Sequence, residues 1–277
     1  MKSLILFLAI IVSFAARSES GHAPINGIKM YYEVHGKKDG TPLVLLHGGG
    51  STIESSFGRI LPELAKKHWI VAVEEQGHGR TTDRQGPVRF EQSADDVAAL
   101  LKHLKIKKAD LFGFSNGASV ALQVAIRHPK LVRKLIFASS LTKRAGTDPQ
   151  FWEWIQKGGF EIMPQQLKDD FLKVNPDPAK LRSMAEKDRQ RMVDFKDVPD
   201  QDVKSVQAET LIISGDRDVP TLDHLVELTK LFKNSRLIVL PGGHGDYLGE
   251  VIAPQNPRMF AITADLVSDF LAYEKRP

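Results

Sequence analysis

The chain has 277 residues, of which 42% are hydrophobic and 26% are charged, a composition that excludes a disordered or fibrous protein. Its formal net charge of +4 is spread along the sequence, and no run of Lys or Arg marks a nucleic-acid-binding arm. The absence of cysteine excludes disulfides, a catalytic thiolate, cysteine-based zinc sites and lipid attachment through an N-terminal cysteine. Because the positive charge is not clustered, we expect no nucleic acid as a partner. The partner that we expect is a small-molecule substrate.

Residues 1–20 have the pattern of a secretory signal peptide. A short basic start at Met1-Lys2 precedes an apolar run over residues 4–16, and a polar stretch with small residues follows. The run is shorter than the roughly 20 residues that cross a bilayer, which favours a cleaved signal over an uncleaved membrane anchor. We expect cleavage after Ser18 or Ser20, a secreted or periplasmic protein, and no stable membrane partner after cleavage.

Short apolar runs then alternate with helical patterns. The runs that predict strands are residues 29–34, 42–46, 70–73, 111–114, 135–138, 211–213 and 237–240. Apolar residues at helical spacing predict one helix capped by Ser93 and others at residues 118–128, 222–232 and 259–271. Continuous apolar runs are typical of parallel strands buried on both faces, so we predict an α/β fold with a mainly parallel sheet and helices on both sides.

Residues 141–207 interrupt this alternation. The stretch is polar, contains several prolines and has no strand pattern, but its apolar residues recur at helical spacing. A structureless loop of that length is improbable in a compact domain. We therefore predict a helical insertion between two parts of one core, at residues 21–140 and 208–277.

A candidate nucleophile lies in Gly113-Phe114-Ser115-Asn116-Gly117, between a predicted strand and a predicted helix. At such a sharp turn the serine side chain is exposed, and the flanking glycines leave room for the crossing strand and helix. Serine needs a base to act as a nucleophile. The motif alone is common, and its strand–turn–helix context is what makes Ser115 a candidate.

The base and its orienting acid are expected later in the chain, at strand ends. His244 lies on a glycine-rich loop after the predicted strand at 237–240. Two carboxylates, Asp216 and Asp218, follow the strand at 211–213. We favour Asp218 because it lies further along the loop towards His244, and Asp216 then serves as a turn former.

The tetrahedral oxygen of an acyl-transfer reaction needs backbone N–H donors. The amide of Asn116 directly follows the nucleophile, and the loop His47-Gly48-Gly49-Gly50 follows an early strand. We predict Asn116 and Gly49 as the donors, with Gly50 as the alternative to Gly49. His47 is interpreted as a structural residue of this loop.

A second polar cluster, Glu74-Glu75-Gln76-Gly77-His78-Gly79-Arg80, ends a strand and enters a glycine turn. Two carboxylates and a histidine are possible metal ligands, but at these positions they need not converge. We favour a role in the turn, and we predict no metal and no cofactor.

The motifs together resemble the α/β-hydrolase superfamily, in particular its lidded serine hydrolases. The matching blocks are HGGG at 47–50, GHGR at 77–80, GFSNG at 113–117, GDRD at 215–218 and PGGH at 241–244. The resemblance implies an eight-stranded sheet, the chain order serine, acid, histidine, and a lid formed by the insertion. It implies that the lid lines the substrate pocket, for which the candidates are Trp152, Trp154, Phe160 and Met163.

These residues predict hydrolysis of an ester-like carbonyl bond through an acyl-enzyme at Ser115. A lactonase, a carbon–carbon bond hydrolase, a peptidase and a cofactor-free perhydrolase would use the same three side chains and stay open as alternatives. A non-catalytic binding protein on the same fold is the alternative from another class.

Overall fold

The computed structural model describes residues 19–274, which form one eight-stranded sheet with helices on both faces. The apolar run of the predicted signal peptide lies outside these residues. The strands are β1 (Glu19–Ile25), β2 (Ile28–His35), β3 (Leu43–Leu46), β4 (Ile70–Val73), β5 (Ala109–Phe114), β6 (Val132–Ala138), β7 (Glu209–Gly215) and β8 (Ser235–Leu240). The helices are α1 (Ile53–Phe57), α2 (Leu61–Ala65), α3 (Phe90–His103), α4 (Asn116–Arg127), α5 (Pro149–Lys157), α6 (Gln165–Val174), α7 (Pro178–Val193), α8 (Asp200–Ser205), α9 (Leu222–Leu231) and α10 (Pro257–Ala272). Across residues 19–274 we find no helix with the length and apolar character needed to span a membrane.

The sheet has the order β1-β2-β4-β3-β5-β6-β7-β8. β2 pairs antiparallel with β1 and with β4, and all the remaining pairs are parallel, as predicted. β1 was not predicted because its sequence lacks a clear alternation of apolar and polar residues. It is an edge strand with β2 as its neighbour, so the missing N–H of Pro24 removes no hydrogen bond to a second strand.

Two hydrophobic layers explain why the central strands are apolar throughout. In β3, Val44 and Leu46 belong to the layer under α3, α4, α8 and α9. Leu43 and Leu45 belong to the opposite layer, under α1, α2 and α10. Alternate side chains of a strand point to opposite faces, so a strand covered on both sides must be apolar at every position.

The predicted cap of α3 at Ser93 is wrong. The helix begins one turn earlier at Phe90, with Arg89 at the cap position, and Ser93 is buried inside the helix. Phe90 packs against Phe195 of the insertion, with 6.3 Å between the ring centroids. The packing of Phe90 on the insertion agrees with this earlier start, which the local capping preference of serine does not predict.

The insertion between β6 and β7 contains α5 to α8 and no strand. Its last helix, α8, packs against α4 and α9 of the core, and Val203 is fully buried there. The helices α5, α6 and α7 lie at the edge of the sheet where β5, β6 and β7 end, and we refer to them as the lid. Because parallel strands end at the same edge, the loops after β5, β7 and β8 come together beneath the lid.

Candidate active site

Ser115 occupies a strained turn between β5 and α4. Its backbone has φ 54° and ψ −121°, a conformation that L residues other than glycine rarely adopt. A Cβ at Gly113 would lie 2.2 Å from the carbonyl oxygen of Gly117, and one at Gly117 would lie 2.1 Å from that of Leu46. The two glycines therefore let α4 cross close to β3 and β5, which holds the Ser115 side chain at the edge of the sheet.

His244 and Asp218 form the closest charged contact of the site. The Nδ1 atom of His244 lies 2.6 Å from Oδ1 of Asp218, whose side chain is fully buried. The other carboxylate oxygen of Asp218 accepts hydrogen bonds from Ser139 Oγ at 2.5 Å, Ser214 Oγ at 2.8 Å and the Gly215 amide at 3.0 Å. These donors fix the carboxylate and stabilise its charge in a buried position.

Asp216, the alternative acid, lies elsewhere. Its side chain is exposed, and Oδ1 accepts a hydrogen bond from the Gly242 amide at 2.8 Å. This bond ties the loop after β7 to the loop that carries His244. Of the two predicted candidates, only Asp218 contacts His244.

The charges of the pair determine which nitrogen of His244 carries a proton. Burial raises the pKa of Asp218, but the hydrogen bond and charge of His244 outweigh burial and leave that pKa far below its usual value. Burial lowers the pKa of His244, whereas the contact with Asp218 outweighs it and raises the pKa overall. An ionised carboxylate only accepts, so Nδ1 is the donor and Nε2 of neutral His244 is free to accept a proton.

Ser115 and His244 line the same cavity, but within residues 19–274 no hydrogen bond joins Ser115 Oγ to His244 Nε2. The imidazole packs on the ring of Phe114, with 4.8 Å between centroids. Such contacts between nucleophile and base are often long in a free enzyme and shorten when substrate binds. The structure thus brings the base to the cavity of the nucleophile without a bond between them.

The two predicted oxyanion donors border this cavity as well. Asn116 is the first residue of α4, where backbone N–H groups have no partner within the helix. In the glycine loop, the amide of Gly50 donates to Asp188 Oδ2 at 2.6 Å and the amide of Gly48 donates to Ser56 Oγ at 3.1 Å. The amide of Gly50, the alternative donor, is therefore occupied, whereas the amide of Gly49 has no acceptor among residues 19–274.

The cavity has a volume of about 290 Å³ and a largely apolar lining. Trp154 and Met163 line it, as the sequence suggested. Trp152 and Phe160 do not. Trp152 is buried against Phe195, and Phe160 packs beside Phe171 in a separate cluster within the lid.

Glu250 places a further carboxyl group in the cavity wall. Its side chain is 4% exposed, and Oε1 accepts a long hydrogen bond from Ser51 Oγ, at 3.4 Å. Oε2 has no hydrogen-bond partner among the described residues. Burial raises the pKa of Glu250 to about 7, although the nearby His244 opposes this shift.

Comparison with known proteins agrees with this arrangement. The sequence model of the alpha/beta hydrolase fold matches residues 41–183, just over half of the chain. The chain belongs to the α/β-hydrolase family. This confirms both the resemblance and the fold class predicted from sequence.

Several α/β-hydrolases are similar to nearly the whole chain. It is 30% identical over 265 residues to the 2-hydroxy-6-oxo-2,4-heptadienoate hydrolase of Pseudomonas putida, a match that covers 87% of this chain and 92% of that protein. It is 28% identical over 249 residues to the serine hydrolase BPHL of Homo sapiens, covering 83% and 81% of the two chains. These relatives support a hydrolase role.

Solved structures show the same fold. The 2-hydroxy-6-oxo-6-phenylhexa-2,4-dienoate hydrolase of Rhodococcus sp. superimposes with a TM-score of 0.74 at 22% identity, over 93% of this chain and all (100%) of that one. The enol-lactonase of Burkholderia xenovorans gives 0.70 at 19% identity, over 91% and 100%. At this level of identity the likeness concerns the fold alone.

The polar cluster at residues 74–80 of this α/β-hydrolase is a set of ion pairs. Glu74 pairs with Arg80 at 2.6 Å, and Glu75 pairs with Arg191 of the lid at 2.9 Å. His78 contacts Asp188, also of the lid, at 2.9 Å. Within residues 19–274 no group of His, Asp or Glu side chains is arranged to hold a metal ion.

His47 is completely buried beside this cluster. Its Nδ1 contacts the Gly48 carbonyl at 2.8 Å, and its Nε2 accepts from the Glu75 amide at 3.1 Å. Burial lowers its pKa to about 4, so the ring is neutral. These contacts hold the glycine loop in shape and agree with the structural role that we assigned to His47.

Sequence reasoning missed the residues that support the site from a distance. Ser139 and Ser214, which donate hydrogen bonds to Asp218, are polar residues at the ends of apolar strands. That position could have identified them as residues of the site. Asp188 and Arg191 lie more than a hundred residues from the glycine loop, and nothing in their local sequence marks them.

Proposed function

We propose that this α/β-hydrolase is a serine hydrolase that cleaves an ester-like carbonyl bond of a small substrate. The observation that carries the proposal is the 2.6 Å contact between His244 and the buried Asp218, in the cavity that also holds the strained Ser115. The apolar lining of the cavity supports a substrate with an apolar acyl or leaving group.

In the proposed reaction, Ser115 Oγ attacks the substrate carbonyl carbon while its proton moves to Nε2 of His244. Asp218 orients the ring and stabilises the imidazolium. The amides of Gly49 and Asn116 donate to the oxygen that becomes negative. His244 then returns the proton to the leaving alcohol, and water, deprotonated by His244, releases the acid and regenerates Ser115.

The direct test is hydrolysis of a short-chain p-nitrophenyl ester by purified protein. Ser115→Ala should lower the rate by at least about a thousandfold, because it removes the atom that forms the acyl-enzyme. Ser119→Ala is the matched control, since Ser119 also lines the cavity and its hydroxyl pairs with that of Ser140, at 3.1 Å. Equal rates for wild type and Ser115→Ala would show that Ser115 is not the nucleophile.

A fluorophosphonate probe separates catalysis from substrate choice. It should label wild type and Ser119→Ala, and labelling should be lost in Ser115→Ala. Absence of labelling in folded wild-type protein would instead favour a non-catalytic binding protein on this fold.

Carbon–carbon bond hydrolysis is the second candidate. It is favoured by the 30% identity, over 87% of this chain, to a protein named as a 2-hydroxy-6-oxo-2,4-heptadienoate hydrolase. The same cavity and side chains would serve a dienoate substrate. A panel of esters, lactones and such dienoates, compared by kcat/KM, distinguishes the two, because the true class should exceed the others by orders of magnitude.

A further inference from the structure

Asp188 of α7 links the lid to the glycine loop, and the role that we infer for it rests on the proposed function. In this loop the amides of the residues on either side of Gly49 both donate hydrogen bonds. Ser56 of α1 accepts from Gly48 at 3.1 Å, and Asp188 of α7 accepts from Gly50 at 2.6 Å. The first anchor belongs to the core, and the second belongs to the lid.

Gly49 itself is closely confined. A Cβ at this position would lie 2.4 Å from Nδ2 of Asn116 and 3.1 Å from Oδ2 of Asp188. The middle peptide of the loop is thus enclosed between the N-terminus of α4 and the lid carboxylate. Its direction is set by the residues around it, since a glycine has no side chain of its own to hold it.

Asp188 has partners at both of its oxygens. The oxygen that accepts from Gly50 also contacts His78 Nε2 at 2.9 Å. The other oxygen forms an ion pair with Arg191 Nη2 at 2.7 Å, without the geometry of a hydrogen bond. Asp188 is 6% exposed, and Arg191 is 4% exposed. A carboxylate so deeply buried is fixed in place by its partners and cannot exchange them for water without a large cost.

The buried groups of this cluster are paired by opposite charge. Asp188 and Glu75 are negative, and Arg191 is positive and contacts both. Burial lowers the pKa of His78, but the neighbouring Asp188 outweighs burial and raises it, which favours a second positive charge. The cluster therefore joins the lid to the core through contacts between groups of opposite charge.

We propose that Asp188 is a positioning residue: by accepting from Gly50, it directs the Gly49 amide towards the oxyanion, so that the oxyanion hole is complete only while α7 is docked on the core. The lid then has two functions. It lines the substrate cavity, and it holds in place one of the groups that stabilise the transition state.

The test compares Asp188→Ala with wild type on a p-nitrophenyl ester. We expect kcat to fall by about 10- to 100-fold, as displaced oxyanion donors do. KM should stay within about threefold, because the oxyanion donor stabilises the transition state much more than it stabilises the bound substrate. Affinity for a boronic acid, whose serine adduct is tetrahedral, should fall by the same factor as kcat/KM.

Asp170→Ala is the matched control. Asp170 is also a buried lid aspartate, at 9% exposed, but it pairs with Lys173 of its own helix. Its removal should leave kcat unchanged. Fluorophosphonate labelling of Asp188→Ala, slower but complete, shows that Ser115 is intact, whereas failure of wild type to label or hydrolyse would refute the proposed function instead.

Thermal denaturation identifies which variants fold. If Asp188→Ala does not fold, Asp188→Asn carries the test, because asparagine retains an oxygen for the Gly50 amide but loses the charge. Its kcat should fall by about 3- to 10-fold, since a neutral acceptor holds the amide more weakly. Wild-type kcat in a folded Asp188 variant, a change in KM alone, or an equal loss in Asp170→Ala would overturn the inference.

Discussion

Asp216 and Asp218 are neighbours in sequence, yet their side chains have different surroundings. Asp218 is buried and contacts His244 at 2.6 Å, whereas Asp216 is exposed and holds the Gly242 amide. Asp218→Asn should lower kcat by about 10⁴-fold, because an amide holds the imidazole in the wrong tautomer. Asp216→Asn should leave kcat nearly unchanged, since it retains the oxygen that accepts from Gly242. Ester hydrolysis measures both, and the reverse order would reassign the acid.

The pH profile should reflect Glu250 as well as His244. His244 acts as a base only when neutral, so kcat/KM should rise with pH through a pKa that lies above the usual value of about 6.5. The charge of Glu250 raises the pKa of His244, and Glu250→Gln should therefore move the midpoint of this rise to lower pH. Burial raises the pKa of Glu250 itself to about 7, so both groups titrate over the same interval in wild type.

Glu153→Gln is the control for this shift. Glu153 is an exposed lid residue that pairs with Lys157, and its loss should leave the pH profile unchanged. An unmoved or higher midpoint in Glu250→Gln would contradict the proposed coupling of Glu250 to His244.

At the residue scale, the sequence was informative where a local motif encodes geometry. Ser115 and His244 follow strands within glycine-rich turns, and the turn itself predicts their exposure. Glu250 and Asp188 have no such motif. Their contacts depend on how distant segments pack, which local sequence does not encode.

At the scale of elements, α4 crosses β3 so closely that the crossing leaves no room for a side chain at Gly117. Gly117→Ala would place a methyl group 2.1 Å from the Leu46 carbonyl oxygen, and backbone at both sides must shift to admit it. We expect a loss of about 3 kcal/mol or more in the free energy of unfolding, measured by urea denaturation.

Gly243→Ala serves as the comparison for that variant. The nearest atom to a Cβ there is Asp246 Oδ2 at 3.6 Å, an ordinary contact. Its stability should change by no more than about 1 kcal/mol. Similar losses of unfolding free energy in the two variants would mean that the crossing of α4 over β3 can accept a methyl group without the expected backbone shift.

The core strands were predictable because both of their faces are buried, so every position of such a strand is apolar and the strand appears in the sequence as a continuous apolar run. The edge strand β1 and the start of α3 were not. Each depends on a neighbour far away in sequence: β2 supplies the hydrogen bonds of β1, and Phe195 of the insertion packs on Phe90.

At the scale of the whole molecule, we propose that the protein is exported and cleaved after Ser18 or Ser20. The support is the apolar run at residues 4–16, with the short basic start before it and the polar, small-residue stretch after it. Intact-mass measurement of protein recovered outside the cytoplasm should give a chain beginning at Glu19 or Gly21, and a chain beginning at Met1 would contradict cleavage.

The link from α7 to the glycine loop has a consequence for how such enzymes diversify. A lid that lies between two neighbouring strands is a segment that can be exchanged between relatives, to transfer one enzyme's substrate range to another. In this protein the lid also contains Asp188, whose carboxylate accepts the hydrogen bond of the Gly50 amide. If Asp188 positions the oxyanion donor as proposed, a graft that leaves Asp188 and Arg191 behind would combine a new pocket with a lower turnover, and a chimera that retains both residues would keep its turnover.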